Sequence, residues 1–201
     1  MHRFRNCRQR SDADERFQFR FMMRNVFLYS FGLVLFAAIS GLAAQSGNPI
    51  LAPHAADLVV LRGDQLVAFN SAKFVNAPYT VLYYSAGWCP DCRRFSPSLV
   101  DAYAHQTNGL PRFEVLLISQ DKNADGMLKY MQTEKMQWPA LAFEKVKAAE
   151  DLKKLYSGHG IPCLTIINAK GDVVIQSKSD QDANEVLKEL EEMLSKTNRA
   201  P

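Results

Sequence analysis

An α/β domain, with a mixed central sheet and helices on both faces, is the fold class that this sequence predicts on three observations. The runs YTVLYYS (79–85) and RFEVLLIS (112–119) are nearly continuous in apolar residues, as strands covered on both faces are. Between and after them lie stretches with apolar residues at helical spacing, such as Phe95, Leu99 and Tyr103. Later, CLTIIN and VVIQS are joined by AKGD, which reads as a hairpin and brings antiparallel strands into the same sheet.

Each element follows in order along the chain. Residues 1–44 carry seven arginines (Arg3, Arg5, Arg8, Arg10, Arg16, Arg20, Arg24) against Asp12, Asp14 and Glu15, a net of +4. The whole chain is +3, so residues 45–201 sum to −1, and the basic balance says nothing of the folded part. Val26 to Ala44 is a charge-free run of 19 residues ending in small side chains. A positive start, an apolar stretch and a small-residue end describe a signal peptide, cut after Ala43 or Ala44. At about 1.5 Å per residue the same run nearly spans a bilayer core of about 30 Å, so an uncleaved anchor held by Arg24 is the alternative. Translation beginning at Met22 or Met23 instead of Met1 leaves a leader of more usual length. Export is expected either way, to the periplasm or another extracytoplasmic space, soluble or attached to the inner membrane through 26–44. Arginines followed by such a run do not read as a nucleic-acid arm. No GxGxxG or GxxxxGK is present, so nothing invites a nucleotide.

Residues 45–56, QSGNPILAPHAA, read as a linker, and 57–201 as the folded domain, expected to be monomeric. LVVLRGDQLVAF reads as two short strands about a charged turn. After the strand 79–85 comes the helix of RRFSPSLVDAYAHQ, then the strand ending at Ser119. This strand–helix–strand unit is expected to cross right-handed with its strands parallel. ADGMLKYMQTEKM reads as a helix, EKVKAAEDLKKLYSG as another stopped by Gly158 and Gly160. The hairpin follows, and DANEVLKELEEMLSKT closes the chain as an amphipathic helix capped by Asp or Asn.

The chemistry sits in SAGWCPDCRR, where the strand 79–85 gives way to a helix. In open α/β sheets reactive sites lie beyond the carboxyl ends of strands. Unpaired N–H groups at a helix start carry about half a positive charge, which favours an anion there, and the thiolate is the nucleophilic form of cysteine. Pro90 suits the first helical position, where its missing N–H has no partner to lose. Cys92 lies one turn past Cys89, close enough to close a disulfide and to attack a mixed disulfide that Cys89 has formed. In an exported chain such a pair is redox chemistry.

WCPDC, Pro97 five residues on, and the later GIPCLTIIN resemble the thioredoxin fold. LYYSAGWCPDCRRFSPSLVDAY, FEVLLISQD, WPALAF and GIPCLTIINAKGDVV are similar to its tryparedoxin and nucleoredoxin branch, from about Leu58 to Leu194. The resemblance implies that Cys89 is the nucleophile and Cys92 the resolving thiol. It makes Trp88 the cover of the site and Ile161-Pro162 a cis dipeptide offering its backbone to the substrate. Pro90 and Asp91, between the cysteines, join the expected substrate contacts. No cofactor and no metal are expected. The implied partners are disulfide-bearing client proteins and an electron donor, either a membrane reductant or a soluble thiol.

Three departures qualify this. Thioredoxin has a buried carboxylate where Tyr83 stands, so the group that assists the resolving thiol is left open. The pair between the cysteines is Pro-Asp, not the branch's usual Pro-Pro; an acid there opposes thiolate formation and points to a reductant. Cys163 follows Pro162; with Cys89, Cys92 and His159 it formally completes a three-Cys, one-His zinc set, although a buried small residue is its commoner fate. A binding module for a metal or client, without turnover, is therefore the rival reading. A thiol peroxidase is disfavoured by the cysteine pair. His105 reads as an exposed helix residue, Met127, Met131 and Met136 as core, Trp138-Pro139 as packing, and Cys7 as lying upstream of the exported part.

Overall fold

The computed structural model describes residues 47–72, 74–106, 112–178 and 181–197. The leader, its apolar run, the start-site methionines and Cys7 lie outside the described residues. No helix among the described residues is long and apolar enough to cross a membrane.

Among the described residues seven strands form one sheet: β1 Leu58–Arg62, β2 Gln65–Ala68, β3 Tyr79–Ser85, β4 Glu114–Ser119, β5 Ala140–Leu141, β6 Cys163–Asn168 and β7 Val173–Gln176. Their spatial order is β2-β1-β5-β4-β3-β6-β7. β3 runs parallel to β4 and β4 to β5, while β6 is antiparallel to β3 and β7, and β1 to β2 and β5. Among the described residues five α-helices accompany it: α1 Pro90–His105, α2 Ala124–Thr133, α3 Phe143–Val146, α4 Glu150–Lys154 and α5 Ala183–Thr197. The expected strands about the RGD turn, the parallel pair and the final hairpin are all present. The hairpin turns at Gly171, whose φ of +86° suits a residue without Cβ.

Side chains alternate across a strand, and this parity sorts the core into two layers. Val81, Tyr83, Val115, Leu117, Leu164 and Ile166 face one layer, closed by α1, α2 and α5 through Phe95, Leu99, Tyr130, Leu187 and Leu190. Leu82, Tyr84, Leu116, Ile118, Cys163 and Ile167 face the other, closed by Leu51, Phe74 and Leu152. Each central strand is covered twice, which is why its sequence shows no alternation.

Three expectations change. The stretch taken as a linker is part of the fold from residue 47 onward. Asn48 is buried; its side-chain amide donates to the Asn168 carbonyl at 2.8 Å, and its Oδ1 accepts from the Ile50 N–H at 2.9 Å. Leu51 enters the second layer and a 3-10 turn, Ala52–Asp57, leads into β1. An Asn48→Ala variant, which removes both bonds while the Asn168 carbonyl keeps its bond from the Gly171 N–H at 2.9 Å, is expected to lose about 1–3 kcal/mol of stability in urea titration. Second, the single helix expected over 144–158 is two short ones. Val146, Ala149, Leu152 and Leu155 all pack on the second layer at three-residue spacing, which an unbroken helix of 3.6 residues per turn would carry off the sheet. Third, the structure adds β5, whose Ala140 and Leu141 both pair with β1 while Ala140 alone pairs with β4.

Candidate active site

The site forms where β3 ends and α1 begins. Cys89 is the N-cap residue of α1, and its sulfur accepts the Cys92 N–H at 3.4 Å. Pro90 occupies the first turn, as its fixed φ and missing N–H favour. The helix then runs through the exposed Pro97, with Phe95, Ser96 and Leu99 on its buried side.

Across from the cysteines the Ile161-Pro162 bond is cis. The Ile161 carbonyl accepts from the Cys89 thiol at 3.5 Å, so the backbone before Pro162 lies beside the outer sulfur. Cys89 is 6% exposed and Cys92 0%. Cys89 thus keeps a small opening to solvent, and Cys92 lies behind it with none. Neither is in a disulfide here, nor is Cys163. Burial pushes the Cys92 thiol up to about 12, and Cys89 adds to the rise, while the Ser85 hydroxyl and the Ala86 backbone oppose it.

Trp88 is 54% exposed, and its indole N–H donates to the Gln120 carbonyl at 3.0 Å. The ring is held at the rim, as a cover requires. Arg93 reaches back to donate to the Gly87 carbonyl at 2.6 Å, tying the loop to the helix. The Gly87 N–H is held by the Asp121 carboxylate at 3.0 Å, and a Cβ at Gly87 would stand 2.9 Å from that of Tyr130. Only glycine lets the loop press this close to α2. Burial raises Asp121 above the ordinary carboxylate range, against the hydrogen bonds from Ser119 and Gly87. A cleft of about 500 Å³ opens beside Trp88, lined by Arg93, Asp121, Lys129 and Glu134 among others.

Cys89, Cys92, Ile161 and Pro162 therefore converge, with Trp88 and Pro90 at their edge. Asp91 does not turn toward the sulfurs: it is exposed and pairs with Arg94. The zinc set is not assembled. Cys163 sits on the opposite face of the sheet, its sulfur 3.3 Å from the Ser157 hydroxyl. Among the described residues no three His, Cys, Asp or Glu side chains gather where they could hold a metal ion. His105 is exposed, Met127, Met131 and Met136 are core, and Trp138 is fully buried beside Tyr83.

Sequence reasoning missed the polar floor beneath Cys92. Ser85 lies two residues past Tyr83 on one strand face, and Ser96 one turn past Cys92, so both were within reach of a periodicity argument. Tyr130 comes from α2 and carries no such local signal.

A thioredoxin-fold dithiol protein is the class that this sheet and this sulfur pair define. A family model described as thioredoxin-like matches residues 77–173. Tryparedoxin of Trypanosoma brucei brucei is 38% identical over 98 residues, covering 49% of this chain and 66% of that protein. Nucleoredoxin of Xenopus laevis is 32% identical over 113 residues; the chain spans 26% of that protein's length. Tryparedoxin II from C. fasciculata superposes with a TM-score of 0.55 at 34% identity, over 73% of this chain and 91% of that one. The chain belongs to the thioredoxin-like family, in its tryparedoxin and nucleoredoxin branch.

Proposed function

We propose that the protein is an exported disulfide reductase that exchanges disulfides with partner proteins through Cys89 and Cys92. The observation that supports this most is the unequal placing of the two sulfurs: Cys89 caps α1 beside the Ile161 carbonyl, and Cys92 is wholly buried behind it. Cys89 attacks a partner's disulfide, forming a mixed disulfide and releasing one partner thiol. Cys92 then attacks the Cys89 sulfur, forming the Cys89–Cys92 disulfide and releasing the second thiol. Two electrons have passed to the partner, and a membrane or soluble thiol donor returns them. The Ile161 backbone offers an edge along which an extended partner segment can lie, with Trp88 closing over it. Clients include proteins with wrong disulfides, or cysteines kept reduced for cytochrome c maturation.

The Pro-Asp pair between the cysteines is the sequence's pointer to the reducing direction, since an acid there disfavours the thiolate on which strong oxidants depend, and the Asp91–Arg94 ion pair weakens that effect. The purified domain is expected to reduce insulin disulfides with dithiothreitol. In a glutathione titration its potential is expected nearer to the about −270 mV of a reductant than the about −120 mV of a strong oxidant. No insulin turnover would favour the rival binding module; a potential near the latter value would reverse the direction. Export through the basic leader and the run 26–44 belongs to the same proposal, and N-terminal sequencing of the cellular protein reads both its start and any cut.

A further inference from the structure

Beneath Cys92 the core holds a cluster of hydroxyls. The Tyr130 hydroxyl lies 2.7 Å from that of Ser85, 2.7 Å from that of Ser96 and 3.1 Å from that of Tyr83. Tyr83 and Ser96 are themselves 3.1 Å apart, and Ser96 donates to the Cys92 carbonyl at 2.8 Å. Ser85, Ser96 and Tyr83 are 0% exposed and Tyr130 2%, so protein groups and not bulk water fix their orientation. The polar neighbours that act on the Cys92 sulfur are Ser85, Cys89 and the Ala86 backbone, none of them a carboxylate.

Each hydroxyl has one hydrogen to give. That of Ser96 goes to the Cys92 carbonyl, leaving those of Tyr83, Tyr130 and Ser85. One arrangement aims all three the same way: Tyr83 donates to Tyr130, Tyr130 to Ser85, and Ser85 to the Cys92 sulfur. Hydrogen bonds aligned head to tail polarise one another, so the last donor is the strongest. We propose that this chain stabilises the resolving thiolate, with Ser85 donating to the Cys92 sulfur as it ionises and Tyr130 and Tyr83 holding Ser85 in the donating orientation. The floor supplies donors for an anion where a carboxylate would supply a base.

This rests on the disulfide-exchange reading and deepens its second step. Cys92 gives up its proton as its sulfur attacks Cys89, and the bond from Cys89 to the partner sulfur breaks. The partner leaves as a thiolate and takes up a proton, so charge and electrons balance. Ser85, held by the Tyr130 hydroxyl at 2.7 Å, is the group proposed to meet the reacting sulfur in that step, and Tyr130, which acts through it, is a positioning residue.

The test is stopped-flow reaction of the reduced protein with 5,5′-dithiobis(2-nitrobenzoate) at pH 6, following release of thionitrobenzoate. The first release reports attack by Cys89, the second displacement by Cys92. Loss of a hydrogen bond to a charged group is expected to slow the second release about tenfold or more in Ser85→Ala. In Tyr130→Phe, which removes one oxygen, a smaller slowing of the same step is expected, with the first release within about twofold of wild type in both. A second step unchanged in either variant overturns the proposal, as does equal slowing of both steps, the mark of a loosened fold. Wild-type protein that releases only one equivalent overturns the disulfide-exchange reading itself.

Discussion

Cys92→Ser protein is expected to gather partner proteins on Cys89 through disulfides that survive non-reducing electrophoresis, whereas Cys89→Ser gathers none and turns over no insulin. The asymmetry follows from burial. Cys89, 6% exposed, is the less enclosed of the two, capping α1 and touching the Ile161 carbonyl, so a first encounter is with it. An alcohol in its place stays protonated and does not attack disulfides, and loss of insulin reduction by at least about a hundredfold is expected. Cys92 is fully enclosed, and burial raises its thiol to about 12, so it does not compete for outside disulfides at neutral pH. Its replacement by serine keeps the helix and its cap, leaves capture intact and removes release. The reading is checked by quenching cells or extracts with N-ethylmaleimide and identifying the attached proteins by mass spectrometry. Cys89→Ser protein with wild-type turnover would end the proposed mechanism. Adducts that form on Cys92 instead would reverse the roles of the two sulfurs.

Much of this was legible because the signals are local. YTVLYYS and EVLLIS are strands for the reason that they lack alternation, and the cysteines follow the first of them directly. The cis Ile161-Pro162 bond and its place opposite the cysteines came from resemblance, since nothing in the spacing fixes which residues meet across a sheet. What stayed hidden is held by contacts remote in sequence. Asn48 bonds to Asn168 and Leu51 fills the second layer, but a short 3-10 turn leaves no period by which a stretch rich in Pro and Gly could be told from a linker. The hydroxyl floor joins residues 83, 85, 96 and 130, from two helices and a strand. The zinc set, open in the sequence, fails on the parity of the folded strand. Residues 164 and 166 face the layer of the active cysteines, so 163 faces away from it.

Trp138→Ala is expected to remove about 3–5 kcal/mol of folding stability, a large share of the roughly 5–15 kcal/mol that holds an ordinary domain. The indole is 0% exposed and meets Tyr83 and Tyr103 edge-on, with ring centroids 6.5 Å and 5.5 Å away. It also stands directly before β5, where the Leu117 N–H donates to the Pro139 carbonyl at 3.0 Å and Leu117 pairs with Ala140. Truncation therefore opens a cavity at the point where β5 joins the sheet. It also frees the ring of Tyr83, one end of the hydroxyl chain beneath Cys92. Trp138→Phe separates two contributions. The indole Nε1 has no hydrogen-bond partner among the described residues, so phenylalanine removes a buried donor while keeping an aromatic edge. That variant is expected to cost less than half as much as alanine. Urea unfolding followed by far-UV circular dichroism reads both, since Trp88 confuses the fluorescence. An alanine variant within about 1 kcal/mol of wild type would show that the core closes without this ring. A phenylalanine variant as costly as alanine would show that the indole N–H is satisfied in solution, and that the contact at Tyr83 depends on a polar partner and not on packing alone.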